Sequence, residues 1–301
     1  MLRVRAPAVV GGKSLRRSLS RTVVPGPLRP SFASYFFLPE QGMSSPELLS
    51  RTGCTILDGK RSGSLVMLTS SHVAAPFRWP QYYGDVPWLH HVRQDCVTYA
   101  LELRDLQGEV VDTAPLPASV VHHESRDICV MGLPEDLPFL EHLEPLVRQD
   151  LSQDAASQGA EKVYYIHGFE VGEMAGEDEE KTSKSEEAAA AAAEERTGQG
   201  SVSTEDDRRP LKPLNVEARF VAAKGDTIYA RPAMELPFGM CGSPMVDADG
   251  KVAGVVEGVI QGPAANAQIT EEQRQALEKM KGLAQLISFA EGLQLVERAN
   301  L

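Results

Sequence analysis

Short apolar or alternating runs recur along the middle of the chain, each closed off by turn-forming residues. Ser64–Thr69 (SLVMLT), Val97–Leu103 (VTYALEL), Ser119–His123 (SVVHH) and Asp127–Leu133 (DICVMGL) have the length and residue types of strands. Gly63, the stretch Asp105-Leu106-Gln107-Gly108 and Pro115-Leu116-Pro117 bound them. Lys162–Phe169, Val216–Ala222 and Asp226–Ala230 continue the pattern. Asp247-Ala248-Asp249-Gly250 predicts a hairpin turn between strands Pro244–Val246 and Lys251–Val256. Many short strands without interleaved helices predict barrels or a sandwich rather than βαβ units. After Gly262 the period changes. Thr270 with Gln273 forms a capping box, and Leu277, Met280, Ala284 and Ile287 recur at three- and four-residue steps. This predicts an amphipathic helix within a tail spanning 268–301.

Composition adds an asymmetry of charge. The chain has 301 residues, 42% hydrophobic and 24% charged, with a formal net charge of −12. Met1 to Pro39 holds no acidic residue but carries Arg3, Arg5, Lys13, Arg16, Arg17, Arg21 and Arg29 among serines and small apolar residues. That is the composition of an organellar transit peptide, taken here as residues 1–40, with a mitochondrial address. The terminal Ala299-Asn300-Leu301 loosely resembles a peroxisomal tripeptide, the alternative address. The rest of the chain is strongly acidic, which argues against nucleic-acid binding. No apolar run reaches membrane-spanning length. Cys54, Cys96, Cys129 and Cys241 show no CxxC spacing, which excludes a disulfide scaffold and a zinc ribbon. His90-His91 and His122-His123 are adjacent pairs that would point to opposite faces of a strand, so no metal site and no cofactor is expected.

Residues 172–209 form a second break. Between Glu170 and Asp207 thirteen acids face three bases, and Ala188 to Ala193 is an unbroken alanine run. With little to bury, this reads as a solvated insertion.

The segment with the most chemistry is Phe238 to Gly258, FGMCGSPMVDADGKVAGVVEG. Gly239 and Gly242 flank Cys241 in a tight turn, where backbone N–H groups can converge on one point and stabilise an oxyanion. A cysteine there attacks carbonyls once a nearby base holds it as thiolate. This segment resembles the Gly-Asp-Ser-Gly-Gly-Pro signature of chymotrypsin-like peptidases, and particularly its Gly-Asn-Ser-Gly-Gly-Pro form in the HtrA/Deg group. Cys241 takes the position of the serine, as in the viral cysteine proteases of that fold. VMLTSSHVAAP (Val66–Pro76) resembles the strand end that carries the catalytic histidine, matching His72. Leu103–Pro134 resembles the segment that carries the aspartate, matching Asp127.

The resemblance covers about Gly53 to Pro263 and implies an all-β double six-stranded barrel over 41–263, with the acidic insertion and a C-terminal α-helix. It implies His72, Asp127 and Cys241 as the catalytic set, with Gly239 and Cys241 N–H groups as the oxyanion hole. Glu235 falls at the floor of the specificity pocket, and Ser243 replaces a glycine that substrate backbone approaches. The substrate would be a protein or peptide. No PDZ-like domain follows. The alternative is an inactive pseudopeptidase serving as a binding or scaffold subunit of an organellar protein complex. The aromatic loop after His72, with Phe77, Trp79, Tyr82, Tyr83 and Trp88, would line a substrate groove or pack as an ordinary loop.

Overall fold

The computed structural model describes residues 28–60, 64–83, 86–143, 145–148, 162–172, 210–263 and 268–301. The acidic insertion, from 173 to 209, and residues 1–27 of the basic segment lie outside the described residues.

Two six-stranded units follow each other. In the second, β10 (Val163–Val171), β11 (Leu211–Lys224), β12 (Thr227–Pro232), β13 (Pro244–Val246), β14 (Lys251–Val259) and β15 (Ala284–Ser288) run β13-β10-β11-β12-β15-β14, and β13 pairs with β14 to close the ring. The first unit comprises β1 (Arg29–Phe36), β2 (Glu47–Gly53), β3 (Thr55–Asp58), β4 (Leu65–Thr69), β5 (Val97–Arg104), β6 (Val110–Leu116), β7 (Val121–His122) and β8 (Cys129–Gly132). A two-residue strand between the units, β9 (Val147–Arg148), pairs in parallel with the start of β14 outside the ring. Only Cys54 separates β2 from β3, so they act as one bent strand shared by the sheets β2-β1-β5-β6 and β3-β4-β8-β7. With β2 and β3 counted as one strand and β6 and β7 as another, the first unit has six. It pairs one with two, two with three, three with six, one with four, four with five and, through β7 and β8, five with six. The closed ring contains the same neighbours. Two copies of one antiparallel ring make the double barrel of chymotrypsin type.

Each barrel has its own core. Phe32, Met67, Leu101 and Phe139 lie in the first, and Tyr164, Ile166, Met245 and Leu286 in the second. A third cluster joins them: Leu57, Leu68 and Val130 of barrel one meet Val246, Val255 and Ile287 of barrel two. Phe289, Leu295 and Val296 of the C-terminal helix cap that seam.

Two expected boundaries are corrected. The transit peptide drawn to residue 40 takes in β1, which pairs along its length with both β2 and β5. Ser31 and Ser34 of that strand are fully buried, and Ser34 Oγ donates to Val73 O at 2.8 Å. Residues 29–36 therefore belong to the barrel. At the other end, the tail expected to be one helix is helix, strand, helix. Thr270 and Gln273 do cap an α-helix, Glu271–Met280, which buries no residue. Gly282 then takes φ +78°, a conformation that helices do not use, and Ala284–Ser288 enter barrel two as its sixth strand. The second helix, Phe289–Ala299, starts with Ser288 Oγ accepting from Glu291 N–H. The chain's last carbonyl, Leu301 O, accepts from Lys60 N–H at 2.9 Å on barrel one.

Candidate active site

Three loops bring the expected residues to the seam between the barrels. His72 lies in a single helical turn, Ser71–Ala74, directly after β4. Asp127 precedes β8 and is 4% exposed. Cys241 occupies the turn between β12 and β13 and is half-buried.

Asp127 grips His72 at two points. Its Oδ1 accepts the backbone N–H of His72 at 2.8 Å, and its Oδ2 lies 2.5 Å from the ring Nδ1. That leaves Nε2 clear of Asp127, and Cys241 lies near enough to the imidazole to act on its protonation. Burial alone would lower the His72 pKa, but hydrogen bonds to Asp127 and Cys241 and the negative charge at both outweigh it and raise the pKa to about 10. Tyr83 OH donates to His72 O at 3.0 Å, and the Tyr82 ring stands edge-on to the imidazole at 5.1 Å.

The Cys241 turn is fastened largely by barrel one. Gly53 N–H donates to Gly239 O, Thr52 Oγ1 to Cys241 O and Thr55 Oγ1 to Gly242 O, at 3.1, 2.5 and 3.0 Å. From barrel two, Val256 O accepts from Gly242 N–H at 2.8 Å. Gly239 and Gly242 adopt φ +101° and +77°, which only glycine takes without strain. At Gly242 a Cβ would also stand 2.7 Å from Gly53 O. Met240 C=O points to Ser243 N–H, so the other end of that planar peptide, the Cys241 N–H, points the opposite way. Among the described residues, neither Gly239 N–H nor Cys241 N–H has an acceptor.

The chain matches no protein-family model, and no curated protein matches it. Among solved structures it is similar to the active form of the Rv3671c protease from M. tuberculosis. The identity is 13% and the TM-score 0.43, over 89% of this chain and 80% of that one.

Two expected substrate contacts are not where the sequence put them. Ser243 is completely buried, with its Oγ wedged between Gly53 of barrel one and Gly168 of barrel two. It packs beneath the turn and presents no surface to solvent. Glu235 is exposed on the surface, not sunk at a pocket floor. The His122–His123 pair diverges, His122 Nδ1 meeting Ser71 Oγ while His123 Nε2 meets Glu291 Oε1. His90 and His91, however, lie in a short helical turn with their rings 3.8 Å apart, not on opposite faces of a strand. No cluster of metal-ligating side chains occurs among the described residues.

The aromatic loop divides its members. Trp88 stacks on Phe36 in the core, whereas Trp79 stacks on Tyr82 at 5.8 Å beside His72. Trp79 and Tyr82 form one wall of a cleft of about 170 Å³ whose other side includes Asp127, Glu257, Gly258 and Gln285. Sequence reasoning missed Glu257 and Thr52. A lone acid in the apolar run Val255-Val256-Glu257-Gly258-Val259 was the available signal, since a charge inside a buried strand demands a partner. Nothing in the sequence singled out Thr52.

Proposed function

We propose that the protein is a peptidase of the trypsin-like fold that hydrolyses peptide bonds with Cys241 as nucleophile. The single observation that carries this reading is an imidazole held by a buried carboxylate beside a half-buried thiol in the seam of a double barrel. The elevated His72 pKa favours the imidazolium form, a cation of the kind that assists cysteine attack on carbonyl carbon.

In the first step Cys241 Sγ, its proton held by His72 Nε2, bonds to the substrate carbonyl carbon, and the C=O electron pair moves to oxygen. The N–H groups of Gly239 and Cys241 donate to that oxyanion. The imidazolium then gives its proton to the leaving nitrogen as the C–N bond breaks, leaving a thioester. Water attacks the thioester, His72 takes one water proton, and collapse frees the new carboxylic acid and restores Sγ. Asp127 keeps the proton of neutral imidazole on Nδ1, so that Nε2 is the basic atom.

The test is alkylation of Cys241 by iodoacetamide from pH 5 to 9, mapped by mass spectrometry, in wild type and His72→Ala, followed by peptide-library hydrolysis. Reactivity well below pH 8 that vanishes in His72→Ala, together with Cys241-dependent cleavage, supports the reading. An ordinary thiol indifferent to His72 refutes it. For location we propose a mitochondrial address, resting on the acid-free basic segment at the N-terminus. Imaging of the full chain fused at its C-terminus to a fluorescent protein, with and without residues 1–27, tests it: diffuse fluorescence from the full chain refutes it.

A further inference from the structure

Glu257 belongs to barrel two, yet it grips the segment of barrel one that carries Asp127. It is the residue passed over in the β14–β15 register, where Val256 pairs with Leu286 and Gly258 with Gln285. Such a bulge re-aims a side chain out of its strand's alternation. Both carboxylate oxygens are saturated. Oε1 accepts from Arg126 Nε at 3.2 Å and from Asp127 N–H at 3.1 Å, and Oε2 accepts from Arg126 Nη2 at 2.8 Å and from Gln285 Nε2 at 2.7 Å. Burial opposes ionisation, but these donors hold the carboxyl below its ordinary pKa, so it stays charged. The fork holds the Arg126 side chain, and the bond to the next residue's N–H fixes the backbone of Asp127 itself. His72 in turn takes its orientation from Asp127.

We propose that Glu257 is a positioning residue for the Asp127–His72 pair, carrying the placement of barrel two across the seam to the aspartate of barrel one. This deepens the proposed peptidase reading and rests on it for its rate measurement, but not for its spectroscopic one. Glu257 acts through His72, so its removal matters only while His72 is present. A role confined to stability would not show that dependence.

The experiment compares wild type, Glu257→Gln and Glu257→Ala, each with His72 or with His72→Ala. Cys241 alkylation by iodoacetamide is followed at pH 7, and the low-field proton resonance of the His72–Asp127 hydrogen bond is recorded. Glu257→Ala is expected to slow alkylation by at least about tenfold, the scale typical of outer partners that orient a functional histidine. In the His72→Ala background it is expected to slow it less than about twofold. The resonance should shift or broaden in both Glu257 variants. Equal slowing in both backgrounds, or an unmoved rate and resonance in variants that melt cooperatively, overturns the proposal. If Glu257→Ala does not fold, Glu257→Gln, which keeps the shape but can no longer accept on both sides, gives the same comparison. A wild-type rate indifferent to His72 alongside a resonance that responds to Glu257 sinks the nucleophile reading and leaves the positioning role standing.

Discussion

Asp127 holds His72 by backbone and by ring at once, Oδ1 on the His72 N–H and Oδ2 on Nδ1. One carboxylate therefore fixes both where the helical turn sits and which way the imidazole faces. In Asp127→Asn the amide keeps one acceptor for the backbone N–H but presents N–H groups to Nδ1, which forces the ring proton onto Nε2. Peptide hydrolysis and low-pH alkylation of Cys241 are expected to fall at least about a hundredfold with little change in melting temperature, the pattern of a wrong tautomer. Retained reactivity would exclude His72 as the base.

His72 also makes stability depend on pH. Its folded pKa of about 10 exceeds the ordinary 6.5, so the stabilisation it brings is complete below 6.5 and is lost as pH rises through about 10. The melting-temperature gap between wild type and His72→Gln is expected to be widest near pH 6 and to close toward pH 10. A gap constant with pH contradicts this.

His122 and His167 act in the opposite sense. Burial first, then the charges of Arg78 and Arg29 respectively, depresses both to about 4. The unfolded chain takes up protons below about 6.5 that the folded chain refuses until about 4, so stability falls with pH through that window. A His122→Asn/His167→Gln double variant is expected to lose less melting temperature than wild type between pH 7 and 4.5.

How far the sequence reveals this molecule differs from strand to strand. Val97–Arg104 and Cys129–Gly132 are legible because they alternate or are continuously apolar. The first strand was not legible: its buried positions include Ser31 and Ser34, which are inside because they find partners and not because they are apolar. The sixth strand of barrel two was misread because Ala284 and Ile287 fit a helical spacing as well as a strand one, and only the gap between β12 and β14 decides. His72, Asp127 and Cys241 could be named because each sits in a quotable motif. Ser243 and Glu235 were placed by register alone, and register does not say which way a side chain faces.

The first strand gives a direct test. A chain beginning at residue 41 lacks β1 and leaves both β2 and β5 without their shared partner. It is expected to show no cooperative thermal transition by circular dichroism, whereas one beginning at residue 28 should unfold cooperatively.

At the seam, a Cβ on Gly53 would stand 2.0 Å from Ser243 Oγ, which is buried and has no partner among the described residues. Ser243→Ala removes an orphan hydroxyl and is expected to leave stability unchanged or raise it. Gly53→Ala is expected to cost about 1–3 kcal/mol through overpacking. Combining it with Ser243→Gly should restore most of the loss in denaturant melts, and strictly additive effects would show that the contact is not the cause.

The Cys241 turn is encoded between two strands of barrel two, but Thr52, Gly53 and Thr55 of barrel one hold three of its carbonyls. Neither barrel on its own can give the turn its shape. Any force or ligand that pries the halves apart reaches Cys241 before it reaches either core, so the turn loses its shape while most of the architecture is still intact.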